Sequence, residues 1–232
     1  MQIVILAGGL GTRLKAIAGN LPKALIPVAG RPFIEHQLEL LRKNRIADVL
    51  LCVGYKGAMI EEHLGNGSAF GLHIRYAEEA ENKLLGTGGA LINALPLLQE
   101  KFMVLYGDSY LPTDYQKVGR AFDESHAVAM MCVYHNKNKW DPSNVKIEGH
   151  SVVFYSKKPG NENPEYIDYG LSVYKKSVIE RYLNKPLPLD LARVQEDLVA
   201  GRQMAAHVVA ERFYEIGKPA GLAELEERLR RG

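Results

Sequence analysis

The chain has 232 residues, of which 47% are hydrophobic and 24% are charged, and its formal net charge at pH 7 is +2. Such a chain can bury the core of one α/β domain, which excludes a disordered protein, and its nearly neutral charge does not favour nucleic acid or a membrane as a partner. Two cysteines in apolar runs predict buried thiols in a reducing compartment. The chain has no signal-peptide pattern and no apolar run of membrane length, so we expect a cytoplasmic monomer or small homo-oligomer.

The first half of the chain alternates short apolar runs with amphipathic segments. Most of the runs show little polar alternation, which is typical of strands buried on both faces. Predicted strands cover residues 2–6, 49–53, 73–77 and 102–106. Predicted helices cover residues 33–45, 58–64 and 88–98. This alternation predicts βαβ units and a mainly parallel sheet.

The second half has shorter elements and two polar stretches, 136–144 and 157–168, which predict loops. The polar stretches flank a predicted hairpin of strands 145–148 and 152–155. Further strands are predicted over 127–134, 170–174, 205–209 and 213–216, and helices over 177–183, 190–202 and 219–231. No linker or internal repeat divides the chain, so we expect one domain, 1–232.

A glycine-rich loop follows the first predicted strand. It contains Gly8, Gly9 and Gly11, and Arg13 comes directly after it. Backbone amides of such a loop can approach a phosphate closely, and Arg13 and Lys23 supply cations for phosphate oxygens. The loop lacks the Gly-Lys-Ser/Thr of a P-loop, and a leucine stands where the dinucleotide fingerprint needs its third glycine. Phosphate binding of another kind is therefore indicated.

The strings Leu-Ala-Gly-Gly-x-Gly-Thr-Arg-Leu (6–14) and Pro-Lys-Ala-Leu-Ile-Pro-Val (22–28) together resemble the sugar-1-phosphate nucleotidyltransferases. The resemblance implies a three-layer α/β fold with a mainly parallel sheet. A Rossmann-like nucleotide-binding half (1–110) would be joined to a sugar- and metal-binding half (111–232) with a hairpin or lid region. It also implies a nucleoside triphosphate and a sugar 1-phosphate as partners, and Mg²⁺ as cofactor.

The resemblance also assigns roles to individual residues. Arg13 and Lys23 would be catalytic, and Asp108 and Glu215 would bind the metal. The sugar phosphate would be bound by Lys158, Asp168, Tyr169 and Gly170. The nucleotide would be bound by two glycine loops, namely Leu6, Ala7, Gly8, Gly9, Gly11 and Thr12 in the first and Gly86, Thr87 and Gly88 in the second.

Two positions depart from the family pattern. Glu215 stands where relatives usually have an aspartate, although its carboxylate still offers oxygens suited to Mg²⁺. Lys157 replaces the first residue of a Glu-Lys pair, in which the glutamate binds sugar hydroxyls and the lysine, here Lys158, holds the phosphate. The extra cation suits a more anionic substrate, but a solvated Lys157 is an equally open interpretation.

The expected reaction is attack of a sugar-1-phosphate oxygen on the α-phosphorus of the triphosphate, with release of pyrophosphate. The attacking phosphate is ionised near neutral pH, so positioning and charge neutralisation would supply the rate. The second glycine loop and Ile-Asp-Tyr-Gly (167–170) most resemble heptose-1-phosphate guanylyltransferases. N-acetylmuramate- and hexose-1-phosphate enzymes, including uridylyltransferases, remain alternatives, as does a non-catalytic nucleotide-binding subunit of the same fold.

Overall fold

The computed structural model describes residues 1–9, 19–81, 84–158 and 160–231. Its strands are β1 (Gln2–Leu6), β2 (Pro27–Val28), β3 (Arg31–Pro32), β4 (Asp48–Val53), β5 (His73–Glu78), β6 (Lys101–Tyr106), β7 (Ser109–Tyr110), β8 (Ala129–His135), β9 (Val145–Glu148), β10 (Ser151–Tyr155), β11 (Tyr166–Lys175), β12 (Met204–Val209) and β13 (Tyr214–Glu215). Its α-helices are α1 (Phe33–Lys43), α2 (Gly57–Leu64), α3 (Gly86–Asn93), α4 (Tyr115–Ser125), α5 (Lys176–Glu180), α6 (Leu191–Ala200) and α7 (Pro219–Arg230). Short 3-10 turns cover Lys23–Leu25, Ser68–Phe70 and Leu95–Leu97.

A nine-stranded sheet in the order β5-β4-β1-β6-β11-β8-β12-β10-β9 forms the centre of the molecule. Strands β5, β4, β1 and β6 are parallel neighbours, and β12 is parallel to β8. Strand β11 is antiparallel to both β6 and β8, and β10 is antiparallel to both β12 and β9. The mainly parallel sheet predicted from the sequence is therefore confirmed, with two reversed strands in its second half.

Each face of the sheet carries its own apolar core, which gives three layers. Helices α1, α2 and α4 pack on the face that holds Ile3 and Ile5. Helices α3, α5 and α6 pack on the opposite face, where Val4 and Leu6 point. Because both faces of β1 are covered, all five of its residues are buried, and its sequence shows no polar alternation.

Two elements differ from the sequence predictions. Helix α4 was missed, although Asp114 caps its first turn by accepting the N–H of Lys117 at 2.9 Å, and its apolar residues recur at helical spacing. Strand β11 begins at Tyr166, inside a stretch predicted to be a loop. There the polar residues alternate with buried Ile167, Tyr169 and Leu171, which is the pattern of a strand with one face on the core.

A small two-stranded sheet brings the end of the chain back to β6. Strand β13 pairs antiparallel with β7, which places Glu215 opposite Ser109. The N–H of Ile216 donates to the carbonyl oxygen of Asp108 at 2.9 Å. Helix α7 then packs through Leu225 against Phe33 and Ile216 in a third apolar cluster. The predicted strand 213–216 therefore forms, but it pairs outside the main sheet.

Helices long and apolar enough to cross a membrane are absent from the residues that the structure describes.

Candidate active site

A cleft of about 400 Å³ opens at the carboxyl ends of β1, β4 and β6. In an open α/β sheet this is the edge at which ligands bind. Apolar and polar side chains both contribute to it. The cleft is lined by Leu6, Ala7, Gly8, Gly9, Lys23, Ala24, Cys52, Glu79, Leu84, Gly86, Thr87, Ala90, Tyr106, Gly107, Asp108 and Gly217.

Many of the residues predicted to bind nucleotide lie in this cleft. The first glycine loop begins there, directly after β1. The N–H of Ala7 donates to the backbone carbonyl oxygen of Cys52 at 2.8 Å. A Cβ at Gly8 would lie 2.5 Å from an oxygen of Glu79, so this position has no room for a side chain. Gly11, Thr12 and Arg13 fall outside the described residues, and their predicted roles stay predictions.

Lys23 and Asp108 form an ion pair at one end of the cleft. Lys23 Nζ lies 2.5 Å from Asp108 Oδ2, and the two side chains are 18% and 30% exposed. Lys23 is held in a 3-10 turn, and Asp108 directly follows β6 and Gly107. Two residues that are 85 positions apart in the chain thus meet at the sheet edge.

Glu215 is brought next to the Asp108 segment by the β7–β13 pairing, although it is not among the residues that line the cleft. Partial withdrawal from water and then the charge of Asp108 raise the pKa of Glu215 to about 7, although Lys23 and Lys218 oppose the shift. Its side chain still reaches solvent. The expectation that Asp108 and Glu215 converge is supported by this geometry.

The donor set at this end suits a hard cation such as Mg²⁺. Two carboxylates and phosphate oxygens are the ligands that Mg²⁺ prefers, and it retains water in its other positions. The negative charge of Asp108 raises the affinity of Glu215 for a proton, and the same negative field favours a divalent cation. Among the described residues, groups of three or more metal-binding side chains are not found, so a bound phosphate would have to complete the site.

The second glycine loop packs against protein and also borders the cleft, and its predicted contact with the nucleotide stays a prediction. The carbonyl oxygen of Leu189 accepts the N–H groups of Gly88 at 2.8 Å and Gly89 at 3.1 Å. Gly86 has a φ of +78°, and a Cβ there would lie 2.4 Å from the same oxygen. These glycines are therefore needed by the contact with residues 187–189, while Gly86 and Thr87 still line the cleft.

Glu79 is a cleft residue that the sequence interpretation missed. It follows β5 as Asp108 follows β6, and this position after a parallel strand is the signal that could have identified it. One carboxylate oxygen accepts the N–H of Leu85 at 2.7 Å, and burial raises the pKa of Glu79. Its surroundings in the cleft include Leu84 and Cys52. A carboxylate acceptor thus lies in the cleft between Gly8 of the first glycine loop and Leu85 at the start of the second.

The residues predicted to bind the sugar phosphate divide between the two faces of β11. Asp168 lies on the face towards Tyr106, and its Oδ1 accepts the N–H of Gly170 at 2.9 Å. Burial raises the pKa of Asp168 to about 6, partly offset by that hydrogen bond and by the charge of Lys157. Tyr169 points the other way and is 1% exposed, with its ring edge-on to Phe213 at 6.2 Å. The side chain of Tyr169 is thus a core residue, which corrects its predicted contact with the substrate.

Lys157 and Lys158 follow β10 at the sugar side. Lys158 donates its N–H to Ser156 Oγ at 3.1 Å. Lys157 Nζ lies 2.5 Å from Asp190 Oδ2, so its ammonium group is paired with protein. Of the two interpretations left open by the sequence, an unpaired cation awaiting an anionic substrate is therefore not what the structure shows.

Comparison with known proteins identifies several similar chains. A D-glycero-alpha-D-manno-heptose 1-phosphate guanylyltransferase from Campylobacter jejuni is 41% identical over 118 residues, covering 51% of this chain and about half (52%) of that relative. An enzyme of the same name from Aneurinibacillus thermoaerophilus is 31% identical over 78% of this chain and 77% of its own. The crystal structure of HddC from Yersinia pseudotuberculosis complexed with GMP-PN superposes with a TM-score of 0.78 at 25% identity, covering 98% of this chain and 99% of that one.

The broadest match is to a whole family. The family described as Nucleotidyl transferase matches residues 2–231, which span both halves of the sheet and every site residue named above. The chain therefore belongs to the nucleotidyl transferase family.

Proposed function

We propose that the protein transfers a nucleoside monophosphate from a nucleoside triphosphate to a sugar 1-phosphate, releasing pyrophosphate and forming a nucleotide sugar. The observation that carries the proposal is the meeting of Lys23, Asp108 and Glu215 at the carboxyl end of β6. Lys23 and Asp108 line the cleft into which the first glycine loop leads, and Glu215 lies beside them. A cation and paired carboxylates beside open backbone amides are what a triphosphate and its metal need.

The chain's own residues act by positioning and charge. Lys23 would neutralise charge at the α-phosphate, and the amides of Gly8 and Gly9 would cradle the phosphates. Lys158 would hold the incoming phosphate, whose oxygen is already ionised near neutral pH, so no strong general base is required. Asp108 and Glu215 would hold Mg²⁺, which supplies charge neutralisation on the phosphates when bound. Arg13 would act on the leaving pyrophosphate, as the family resemblance implies.

The preferred nucleotide is proposed to be GTP. The cleft runs from the end of β5 to the end of β6. The Glu79 side chain reaches towards the first glycine loop, where one oxygen lies beside Gly8, and the other oxygen accepts the Leu85 N–H. A base held between the two glycine loops would meet this carboxylate, while the phosphates would extend towards Lys23. Guanine is the base of the four common ones whose pairing edge offers adjacent N–H and NH₂ donors, which a carboxylate accepts well. The names of the guanylyltransferase relatives support the same choice.

The preferred acceptor is proposed to be a heptose 1-phosphate, as the names of the same relatives suggest. Asp168 lies one strand beyond Asp108 in the sheet order, on the side away from Glu79. One oxygen of Asp168 already accepts the Gly170 N–H, and carboxylate oxygens suit the hydroxyl donors of a sugar. On this proposal the half 1–110 holds the nucleotide, and the half 111–232 holds the sugar and completes the metal site.

The test is a grid of pyrophosphate release. The purified chain would be assayed with Mg²⁺ and each of GTP, UTP, CTP and dTTP, paired with heptose, mannose, glucose and N-acetylmuramate 1-phosphates. We expect the highest kcat/KM for GTP with heptose 1-phosphate. Preference for UTP with an amino-sugar phosphate would overturn the substrate assignment. Nucleotide binding without turnover of any pair would overturn the assignment as an enzyme.

A further inference from the structure

Lys157 belongs to a chain of polar contacts that joins three separate segments. Its Nζ is 2.5 Å from Asp190 Oδ2. The other oxygen of Asp190 accepts the N–H of Ala192 at 3.0 Å and the hydroxyl of Thr87 at 3.1 Å. Thr87 Oγ1 in turn accepts the N–H of Leu191 at 2.8 Å. The turn after β10, the start of α6 and the start of α3 are thereby connected.

One end of this chain of contacts lies at the nucleotide cleft, and the other lies next to the residue proposed to bind the sugar phosphate. Thr87 lines the nucleotide cleft. Lys157 directly precedes Lys158, which is proposed to hold the sugar phosphate. Asp190 sits between them as the N-cap of α6, and that backbone is fixed to the second glycine loop through Leu189. The Lys157–Asp190 ion pair therefore holds the segment that carries Lys158 against residues on the nucleotide side; we call this contact the grip.

The exposure of the Lys157–Asp190 pair limits its contribution to the stability of the fold. The Lys157 and Asp190 side chains are 55% and 51% exposed, and ion pairs of that exposure add little to the stability of a fold. Burial acts to raise the pKa of Asp190, but the Lys157 contact and the Ala192 N–H outweigh it and hold the pKa below its ordinary value. The pair is thus formed at neutral pH. Its effect is expected in the placement of residues 156–158 and not in melting.

We propose that Lys157 is a positioning residue for the sugar 1-phosphate, which holds Lys158 in place by gripping Asp190 and does not touch the sugar itself. The inference rests on the proposed function and assigns to Lys157 a role different from that of the glutamate it replaces.

The experiment compares steady-state kinetics of four variants with the unaltered chain, using the best substrate pair of the grid. Lys157→Ala is expected to raise KM for the sugar 1-phosphate about two- to fivefold, the range of an exposed ion pair, with kcat and melting temperature nearly unchanged. Asp190→Asn keeps a good N-cap and removes the charge, so the same rise is expected. Lys157→Arg still reaches Asp190 and should restore KM. The double variant Lys157→Ala/Asp190→Asn should be no worse than either single variant.

Lys146→Ala is the matched control. It breaks the Lys146–Glu162 pair of 2.8 Å, whose side chains are 39% and 53% exposed in the same half of the chain. We expect it to leave KM for both substrates unchanged. An unchanged KM in Lys157→Ala, or a rise in Lys157→Ala that Asp190→Asn does not share, would overturn the proposal. Additive losses in the double variant would overturn it as well.

Amide hydrogen exchange separates a failure of this proposal from a failure of the proposed function. Exchange at residues 156–158 should be faster in Lys157→Ala and in Asp190→Asn than in Lys146→Ala. If the unaltered chain turns over no substrate pair, the proposed function fails, and this exchange result still decides whether the grip exists. Equal exchange in all three variants would show that it does not.

Discussion

At the scale of single residues, Lys23 is a cation that lines the cleft in which the phosphates are proposed to bind. Lys23→Ala removes the ion pair with Asp108 and a charge-assisted contact worth about 1.5–3 kcal/mol, so turnover should fall roughly ten- to a hundredfold. The fold should persist, because the Lys23 side chain is not part of either apolar core. Pyrophosphate release and thermal melting measure the two effects. Lys101→Ala, which breaks an exposed pair with Asp123 of 2.6 Å, is the control and should keep normal turnover. Near-normal kinetics in Lys23→Ala would contradict the site.

Glu79 allows the choice of base to be tested separately. Glu79→Gln replaces one acceptor oxygen by an NH₂ donor, which would face the donors of guanine. A bidentate contact to a base is worth about 1–3 kcal/mol, so kcat/KM for GTP should fall about five- to a hundredfold while that for UTP changes much less. Glu81→Gln makes the same chemical change at an exposed position that accepts the Lys56 N–H, and should leave the GTP/UTP ratio unaltered. Equal losses for GTP and UTP in Glu79→Gln would mean that Glu79 does not contact the base.

Asp168 predicts a dependence of stability on pH. Because its pKa is raised from 3.8 to about 6 in the folded protein, the folded state holds its proton more tightly than the unfolded state. The associated stability is complete below pH 4 and is lost as pH rises through 6. Asp168→Asn can still accept the Gly170 N–H but has no proton to lose. The difference in unfolding free energy, variant minus unaltered chain, should therefore increase between pH 4 and pH 8. The gain should be on the order of 1–2 kcal/mol. Denaturant titrations at both pH values measure it, and a difference that does not change with pH would refute the assignment.

At the scale of elements, the second glycine loop and residues 187–189 behave as one packed unit. Gly86→Ala places a Cβ in a backbone of φ +78° and 2.4 Å from the Leu189 oxygen. Gly149→Ala meets a similar φ of +56° with no atom within 4 Å, so it carries the backbone strain alone, about 1–2 kcal/mol. We expect Gly86→Ala to destabilise the protein by more than Gly149→Ala, and to lower nucleotide affinity as well. Equal unfolding free energies for the two variants would show that the contact with Leu189 gives way without cost.

The same elements show what the sequence could reveal. Strands β1, β4 and β6 were predicted because both of their faces are buried, which leaves continuous apolar runs. The start of β11 was missed because Asp168 and Gly170 alternate with its buried residues, and this pattern was interpreted as a loop. Helix α4 carried a capping signal at Asp114 and was overlooked. The packing of glycines 86, 88 and 89 against Leu189 could not be predicted from the sequence, because Leu189 lies about a hundred positions away.

At the scale of the whole molecule, the site is assembled from both ends of the chain. Lys23, Asp108 and Glu215 lie on elements that are distant in sequence, and only the strand order brings them together. The family resemblance could name these residues, but their pairing, such as Lys23 with Asp108 or Thr87 with Asp190, required the fold. The sheet itself followed from periodicity, since alternating strands and helices allow few topologies.

The β7–β13 pairing also sets when the site is completed during synthesis. Strands β1, β4, β5 and β6 are adjacent in the sheet, and all four are made within the first 110 residues. Glu215 is made about a hundred residues later, and its strand docks on the loop that follows Asp108. A nascent chain of 110 residues therefore lacks the Leu189 contact that holds the second glycine loop, the strand that carries Glu215 and the Gly217 part of the cleft wall. The cleft is complete only when synthesis of the chain is nearly finished.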